Sequence, residues 1–85
     1  MTIALAAEVA KYGILANCVS PGFVDTELTR RVLGTDGIKE MVERVPAKRL
    51  GHPEEIAELV VWLSSGVNTY VSGQNIAIDG GFVRV

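Results

Sequence analysis

The sequence holds a single cysteine, Cys18, and a single histidine, His52, in 85 residues. An internal disulfide is therefore excluded, as is a zinc site built from clustered cysteines, and no metal ligands are assigned. Apolar runs reach only a few residues, far below the roughly 20 that cross a bilayer as a helix. The opening stretch MTIALAAEVAKYG has no basic segment ahead of its apolar part and carries Glu8 inside it, so it does not read as a secretory signal. An excess of either charge is missing too: eight basic and ten acidic residues give a net charge of −2. No basic patch with interleaved aromatics stands out, so neither nucleic acid nor a membrane is expected as a partner. A soluble, cytoplasmic chain is the expectation.

What is present argues for a folded but small domain. Hydrophobic residues make up 48% of the chain, which is incompatible with a disordered composition. A chain of this length forms one domain at most and buries only roughly 60–65% of its unfolded surface.

The spacing of Leu5, Val9 and Tyr12 predicts a helix over residues 1–12, with Ala6, Ala7 and Ala10 as a second stripe of small side chains. Packing on two sides is expected from the two stripes, and Gly13 ends the helix. ILANCV (14–19) is a short apolar run between Gly13 and Ser20-Pro21-Gly22 and reads as a buried strand, with Cys18 as a small buried hydrophobe. Residues 23–50 are polar and interrupted by Gly34, Gly37 and Pro46, which allows short helices near 26–33 and 37–44. Pro53 followed by Glu54 and Glu55 is a helix start: proline's fixed φ suits the first position, and carboxylates suit the positive end of the dipole. That helix, 53 to about 65, lines up Ile56, Leu59, Val60 and Leu63 on one face. Val61 and Trp62 fall elsewhere, so cover on more than one side is expected. NIAI (75–78) is a second strand, closed by Asp79-Gly80-Gly81.

Helix, strand, helical insertion, helix, strand implies two parallel strands joined by a crossover. Parallel sheets are covered on both faces, and here the first strand has no second neighbour within the chain. The domain reads as incomplete, with an unpaired strand edge and an uncovered alanine-rich helix face. Both favour self-association.

The stretch NCVSPGFVDT (17–26) is the candidate site. Proline fixes a bend, glycine lets another group approach the backbone, and a hydroxyl at a helix start can join backbone donors facing an anion. Two readings are open from the residues alone: a ligand-facing wall, or a plain Pro21-Gly22 turn with Thr26 as helix N-cap.

LAAEVAKYGILANCVSPGFVDTELTR, VPAKRLGHPEEIAELVVWLSS and YVSGQNIAIDGGF, in that order, resemble the C-terminal third of the short-chain dehydrogenases/reductases. Within that family they look like the 3-oxoacyl-(acyl-carrier-protein) reductase branch. The resemblance spans essentially the whole chain. It implies an α/β fold: a partial doubly wound (Rossmann-like) parallel sheet, reduced to a C-terminal β-α-β portion with a preceding helix. Residues 1–85 would be a single incomplete domain, with 23–50 as the substrate-loop region. In such a sheet the strand carrying Pro21 ends at the carboxyl edge, where open α/β sheets bind ligands. The resemblance then implies that Pro21, Gly22 and the Val24 backbone line the nicotinamide of NAD or NADP, with Val24 pairing its carboxamide. Thr26 would offer its hydroxyl to the carboxamide or the pyrophosphate. Leu28, Val32, Ile38 and Met41 become candidates for substrate contact. The helix from Pro53 with strand 75–78 would form one subunit interface, and helix 1–12 another. His52 has no family role and is expected to cap or face solvent; Arg49 is expected to pair with a carboxylate or a neighbouring subunit.

The departures from the family pattern weigh as much. No G-x-G-x-x-G turn to seat a pyrophosphate on a helix N-terminus occurs anywhere. The family's catalytic serine and Tyr-x-x-x-Lys pair are also absent: Tyr12 is followed four residues on by Ala16, and Tyr70 by Gln74. No catalytic residue is therefore assigned, and the resemblance puts the missing pair just ahead of Met1. The reading is a fragment of an NAD(P)-dependent oxidoreductase that alone neither binds the cofactor nor transfers hydride. The alternatives are a non-catalytic module that self-associates or pairs with a full-length reductase, and one half of a split reductase.

Overall fold

A computed structural model describes residues 2–82. Helix α1 runs over Thr2–Val9 and tightens into a 3-10 turn at Ala10–Tyr12. Gly13 ends it at φ 74°, its N–H bonded to the Ala10 carbonyl at 3.0 Å. Strand β1 is Cys18–Pro21, helix α2 Glu27–Arg44, helix α3 Pro53–Ser64 and strand β2 Asn75–Ile78. The order is the expected one.

β1 and β2 pair in parallel with Cys18 opposite Asn75 and Pro21 opposite Ile78. The Cys18 N–H donates to the Gln74 carbonyl at 2.8 Å, and the Gly22 N–H to Ile78 at 3.1 Å. Alternate residues of β1 thus face β2, and Pro21 turns its nitrogen to the outer edge. Its missing donor costs the ladder nothing. The strand starts later than the apolar run 14–19 suggests. Its partner begins only at Asn75, after a turn at Gly73 (φ 74°). Residues ahead of Cys18 meet that turn instead: Gly73 N–H donates to Ala16 at 2.7 Å, and Ala16 N–H to the Ser72 hydroxyl at 3.1 Å.

α2 is two helices joined at a break. Thr26 caps its start, accepting from the Thr29 N–H at 3.1 Å. Gly34 then leaves the helical region at φ 68°, ψ 178°, a conformation open essentially to glycine alone. The two short helices expected near 26–33 and 37–44 are these halves. α3 starts at Pro53 as its sequence dictates.

Packing is sparse. Among the described residues only Ala6, Val45 and Asn68 are buried. The radius of gyration is 15.5 Å, against about 12 Å for a compact chain of this length. The accessible surface of 6300 Å² likewise exceeds the roughly 4,900 Å² of a compact monomer this size.

Three burial expectations are overturned. Cys18 is exposed, not buried, because no other element covers its face of β1. On α3, Val61 and Trp62 lie 66% and 44% exposed rather than covered. Among its described side chains α1 buries only Ala6, beside the Ser72–Gln74 segment, instead of packing on two sides. The α3 face that carries Ile56, Leu59 and Leu63 is half-buried, while Val61 and Trp62 stay exposed. No described helix is long and apolar enough to cross a membrane.

Replacing Gly34 by Ala forces a side chain into the break, at a cost of about 1–3 kcal/mol. Gly66, with no positive φ and open space around it, is the control: Gly66→Ala changes stability by less than about 1 kcal/mol. Urea unfolding followed by circular dichroism measures both, and equal midpoints for the two variants contradict the assignment.

Candidate functional site

The corner that follows β1 is built by close approaches between three turns. A Cβ on Gly22 would lie 2.7 Å from the Asp79 Cβ and 3.0 Å from its Cα. Glycine is therefore demanded here by the end of β2 itself. Asp79 opens a second turn in which its carboxylate accepts from the Gly81 N–H at 2.9 Å, with Gly80 and Gly81 at φ 64° and 94°. A Cβ on Gly80 would meet Val45 at 2.9 Å and Ala47 at 3.0 Å, and the Ala47 N–H donates to the Gly80 carbonyl at 3.1 Å. Phe23 and Phe82 close the corner edge to face, their ring centroids 5.3 Å apart.

Beyond Phe23 the chain makes a one-residue parallel bridge, Val24 against Gly51. Gly51 N–H donates to Phe23 at 2.9 Å, and Asp25 N–H to Gly51 at 2.8 Å. In such a bridge the central residue's own groups point away from the partner. The Val24 carbonyl accepts from the Thr26 N–H at 2.9 Å, while its N–H has no partner among the described residues. Thr26 stands next to it, half-buried, its Oγ1 3.0 Å from the Thr29 hydroxyl.

Pro21, Gly22, Val24 and Thr26 thus occupy one bend with distinct local duties. Pro21 is exposed at the strand end, Gly22 is packed on Asp79, Val24 is in the bridge and Thr26 caps α2. Among the described residues the N–H groups of Phe23 and Val24 have no partner, and with the Thr26 hydroxyl they give the bend donors suited to a planar amide. The space freed by Gly22 is already taken by Asp79, so closeness to a ligand is not what requires that glycine. Of the two open readings of Thr26, the N-cap is present: its hydroxyl accepts from the Thr29 N–H.

On the far side of the bend, Asp25 and Arg30 form a two-pronged ion pair at 2.6 and 2.8 Å. The Arg30 hydrogen bond holds the Asp25 carboxyl below its ordinary value. The pair lines a cavity of about 280 Å³ with Gly34, Thr35, Ile38 and Leu50. Of the substrate-contact candidates only Ile38 lines it. Leu28 and Val32 are 66% and 71% exposed, and Met41 is half-buried outside that lining.

A family model described as enoyl-(acyl carrier protein) reductase matches residues 1–83. The 3-oxoacyl-[acyl-carrier-protein] reductase of Buchnera aphidicola is 47% identical over 77 residues, which are 91% of this chain and 31% of that protein. The crystal structure of a short chain dehydrogenase family protein from Francisella tularensis superposes with a TM-score of 0.91 at 37% identity, covering 100% of this chain and 39% of that one. The chain belongs to the short-chain dehydrogenase/reductase family. An Agrobacterium tumefaciens putative 2-deoxy-d-gluconate 3-dehydrogenase with bound NADP superposes with a TM-score of 0.87 at 38% identity, over 99% of this chain and 35% of that one. This short-chain dehydrogenase/reductase chain spans about a third of the length of the curated relatives it matches. Its two-stranded sheet is accordingly part of a Rossmann-type fold.

Within this short-chain dehydrogenase/reductase chain, one further polar cluster holds the site's loop. Arg49 donates to both Glu55 carboxylate oxygens at 2.7 and 2.9 Å, and Glu55 also accepts from the His52 N–H at 2.8 Å. Arg49 has the carboxylate partner expected of it. His52 sits at the N-cap of α3 but makes no side-chain capping bond; Glu55, reaching back from the first turn, does the capping. Asn17 and Asn68, neither singled out from the sequence, carry the densest side-chain hydrogen bonding around the strand starts.

The Arg49 hydrogen bonds, then that from His52, lower the Glu55 carboxyl from 4.5 to about 2. A carboxyl lowered in the folded state stabilises fully above its unfolded value, and the contribution fades as pH falls toward the folded one. Urea midpoints measured down the pH range should drop between pH 4.5 and about 2 more steeply in the wild type than in Glu55→Gln. Parallel curves would show that the pair contributes nothing.

Proposed function

We propose that the Pro21–Thr26 bend is the nicotinamide-facing wall of an NAD(P)-dependent reductase and that α2 is its substrate lid. The unpartnered Val24 N–H, two residues ahead of the Thr26 hydroxyl and at the carboxyl end of the parallel pair, carries this reading. The two donors suit the carbonyl of a carboxamide, and the fit covers the nicotinamide end only, since the glycine-rich turn for a pyrophosphate is not in the sequence. When bound, the nicotinamide would supply hydride. Val24 and Thr26 would orient its ring, and the cavity at Ile38 and Leu50 would face the substrate's apolar part. The Buchnera relative, a 3-oxoacyl-[acyl-carrier-protein] reductase, supports a 3-oxoacyl thioester as substrate class.

By itself the chain is proposed to be inactive. It has donors for one end of the cofactor, and neither a phosphate cradle nor a Tyr-x-x-x-Lys pair to deliver a proton. Isothermal titration with NADPH and NADH is expected to show no saturable micromolar binding, and a 3-oxoacyl thioester is expected to go unreduced. Saturable micromolar binding overturns the inactivity. A separate measurement addresses the wall: millimolar NADP⁺ should shift the Val24 and Thr26 amide resonances and leave those of Val60–Leu63 unmoved. Uniform shifts, or none, would remove it.

Self-association is the second part of the proposal, as a homodimer or larger assembly or by pairing with a full-length or complementary reductase chain. Tyr12 at 70%, Val61 at 66%, Val67 at 70% and Trp62 at 44% exposed support it. A purely associating, non-catalytic role would rest on this same surface. Sedimentation velocity at high micromolar concentration is expected to show a dimer or more, and a single folded monomer boundary would refute association.

A further inference from the structure

Beyond the Gly22–Asp79 approach at the far end, burial does not explain why β1 and β2 pair in the register they do. Cys18, Pro21, Asn75 and Ala77 are exposed, and Val19, Ser20, Ile76 and Ile78 only half-buried. Register is strongly specified where a sheet buries one face, and weakly where it does not. Some other contact has to place Cys18 opposite Asn75.

Two asparagines meet just ahead of the strands. Asn68 is 5% exposed, the one buried polar residue described. Its Nδ2 donates to the Leu63 carbonyl at 3.0 Å and the Val71 carbonyl at 3.1 Å, and its Oδ1 accepts from the Val71 and Tyr70 N–H groups at 2.9 and 3.3 Å. Asn17 directly precedes β1. Its Nδ2 donates to the same Val71 carbonyl at 2.9 Å, and its Oδ1 accepts from the Gln74 N–H at 3.1 Å. Both lone pairs of the Val71 carbonyl are thereby engaged.

We infer that Asn17 and Asn68 form a clasp on Val71 that sets the register of β2 against β1, and are positioning residues for the bend that follows. The Asn17 amide acts as an extra rung. It meets the 71–74 segment with one donor and one acceptor, as a neighbouring peptide would, one step ahead of the Cys18 N–H bond to Gln74. Asn68 fixes the other side of Val71 to the end of α3 through Leu63. The smallest slip that keeps every side chain on its face is two residues, about 6.6 Å along the strand. It would tear Gln74 from Asn17 and carry Asp79 away from Gly22. The consequence for cofactor orientation rests on the nicotinamide-wall reading. The register itself does not.

The test is made on the ¹⁵N-labelled chain without cofactor, so the two ideas fail separately. The wild type should give interstrand NOEs for the Cys18–Asn75 register and a protected Gly22 amide, whose bond to Ile78 lies at the far end of the ladder. Asn17→Ala and Asn68→Ala should each speed Gly22 exchange at least tenfold, with amides inside α3 unchanged. Ser20→Ala also removes a cross-strand bond, the 2.7 Å contact to Asn75, yet should leave Gly22 protected. Asn17→Asp keeps the acceptor for Gln74 but sets a carboxylate oxygen against the Val71 carbonyl, so this near-isosteric variant should lose Gly22 protection as Asn17→Ala does. Wild-type NOEs in another register, Ala variants that keep Gly22 protected, or an Asp variant as protected as the wild type would each overturn the clasp.

Discussion

Four residues of parallel pairing hold this molecule together. β1 and β2 are 54 or more positions apart in the chain, and their contact is what brings the Pro21 bend beside the Asp79 turn. Gly22 lies so close to Asp79 that any side chain there would collide with it, and Gly80 sits as tightly on Val45 and Ala47. Both ends of the long insertion are therefore fastened to the end of the sheet: its start at Phe23 and Val24, its finish at Val45–Gly51. The proposed site follows from that convergence. It is a place where main chain, not side chains, is presented.

Polar contacts take over the work that burial does in a larger domain. With only Ala6, Val45 and Asn68 buried among the described residues, the hydrophobic effect has little to act on inside this chain. What orders the loops are directional bonds: Asn68 to four main-chain groups' worth of contacts, Glu55 to Arg49 and His52, Asp25 to Arg30, and Asp79 to Gly81. Such bonds fix geometry well and contribute only modestly to net stability. Leu5 of α1 and Val60, Val61 and Trp62 of α3 meanwhile stay exposed, in a chain about a third the length of its curated relatives.

Much of the fold was legible because glycine and proline punctuate it. Gly13, Gly34 and Pro53 each do what local chemistry requires of them, and element type and order follow. Burial is less legible in the same elements, since apolar residues off the main stripe of α3, such as Val61 and Trp62, imply a cover without saying whether it lies in the same chain. Strand β1 was placed too early because its start depends on Asn75, which no local pattern near residue 14 can reveal. Of the candidate site, the bend and the N-cap were readable. The reason for Gly22 was not, because Asp79 lies far along the chain, and Asn17's partners stand 54 and 57 positions away.

Pro21 has an effect on what the sheet can become. Along the outer margin of β1, Val19 is followed by a residue with no hydrogen to give, so a strand arriving from solvent would find its second rung missing. Unlimited strand-upon-strand growth is thereby discouraged at this margin, while one short, finite neighbour ending at Val19 is still admitted. The same ring that bends the chain toward its proposed ligand thus also guards it against fibrous stacking.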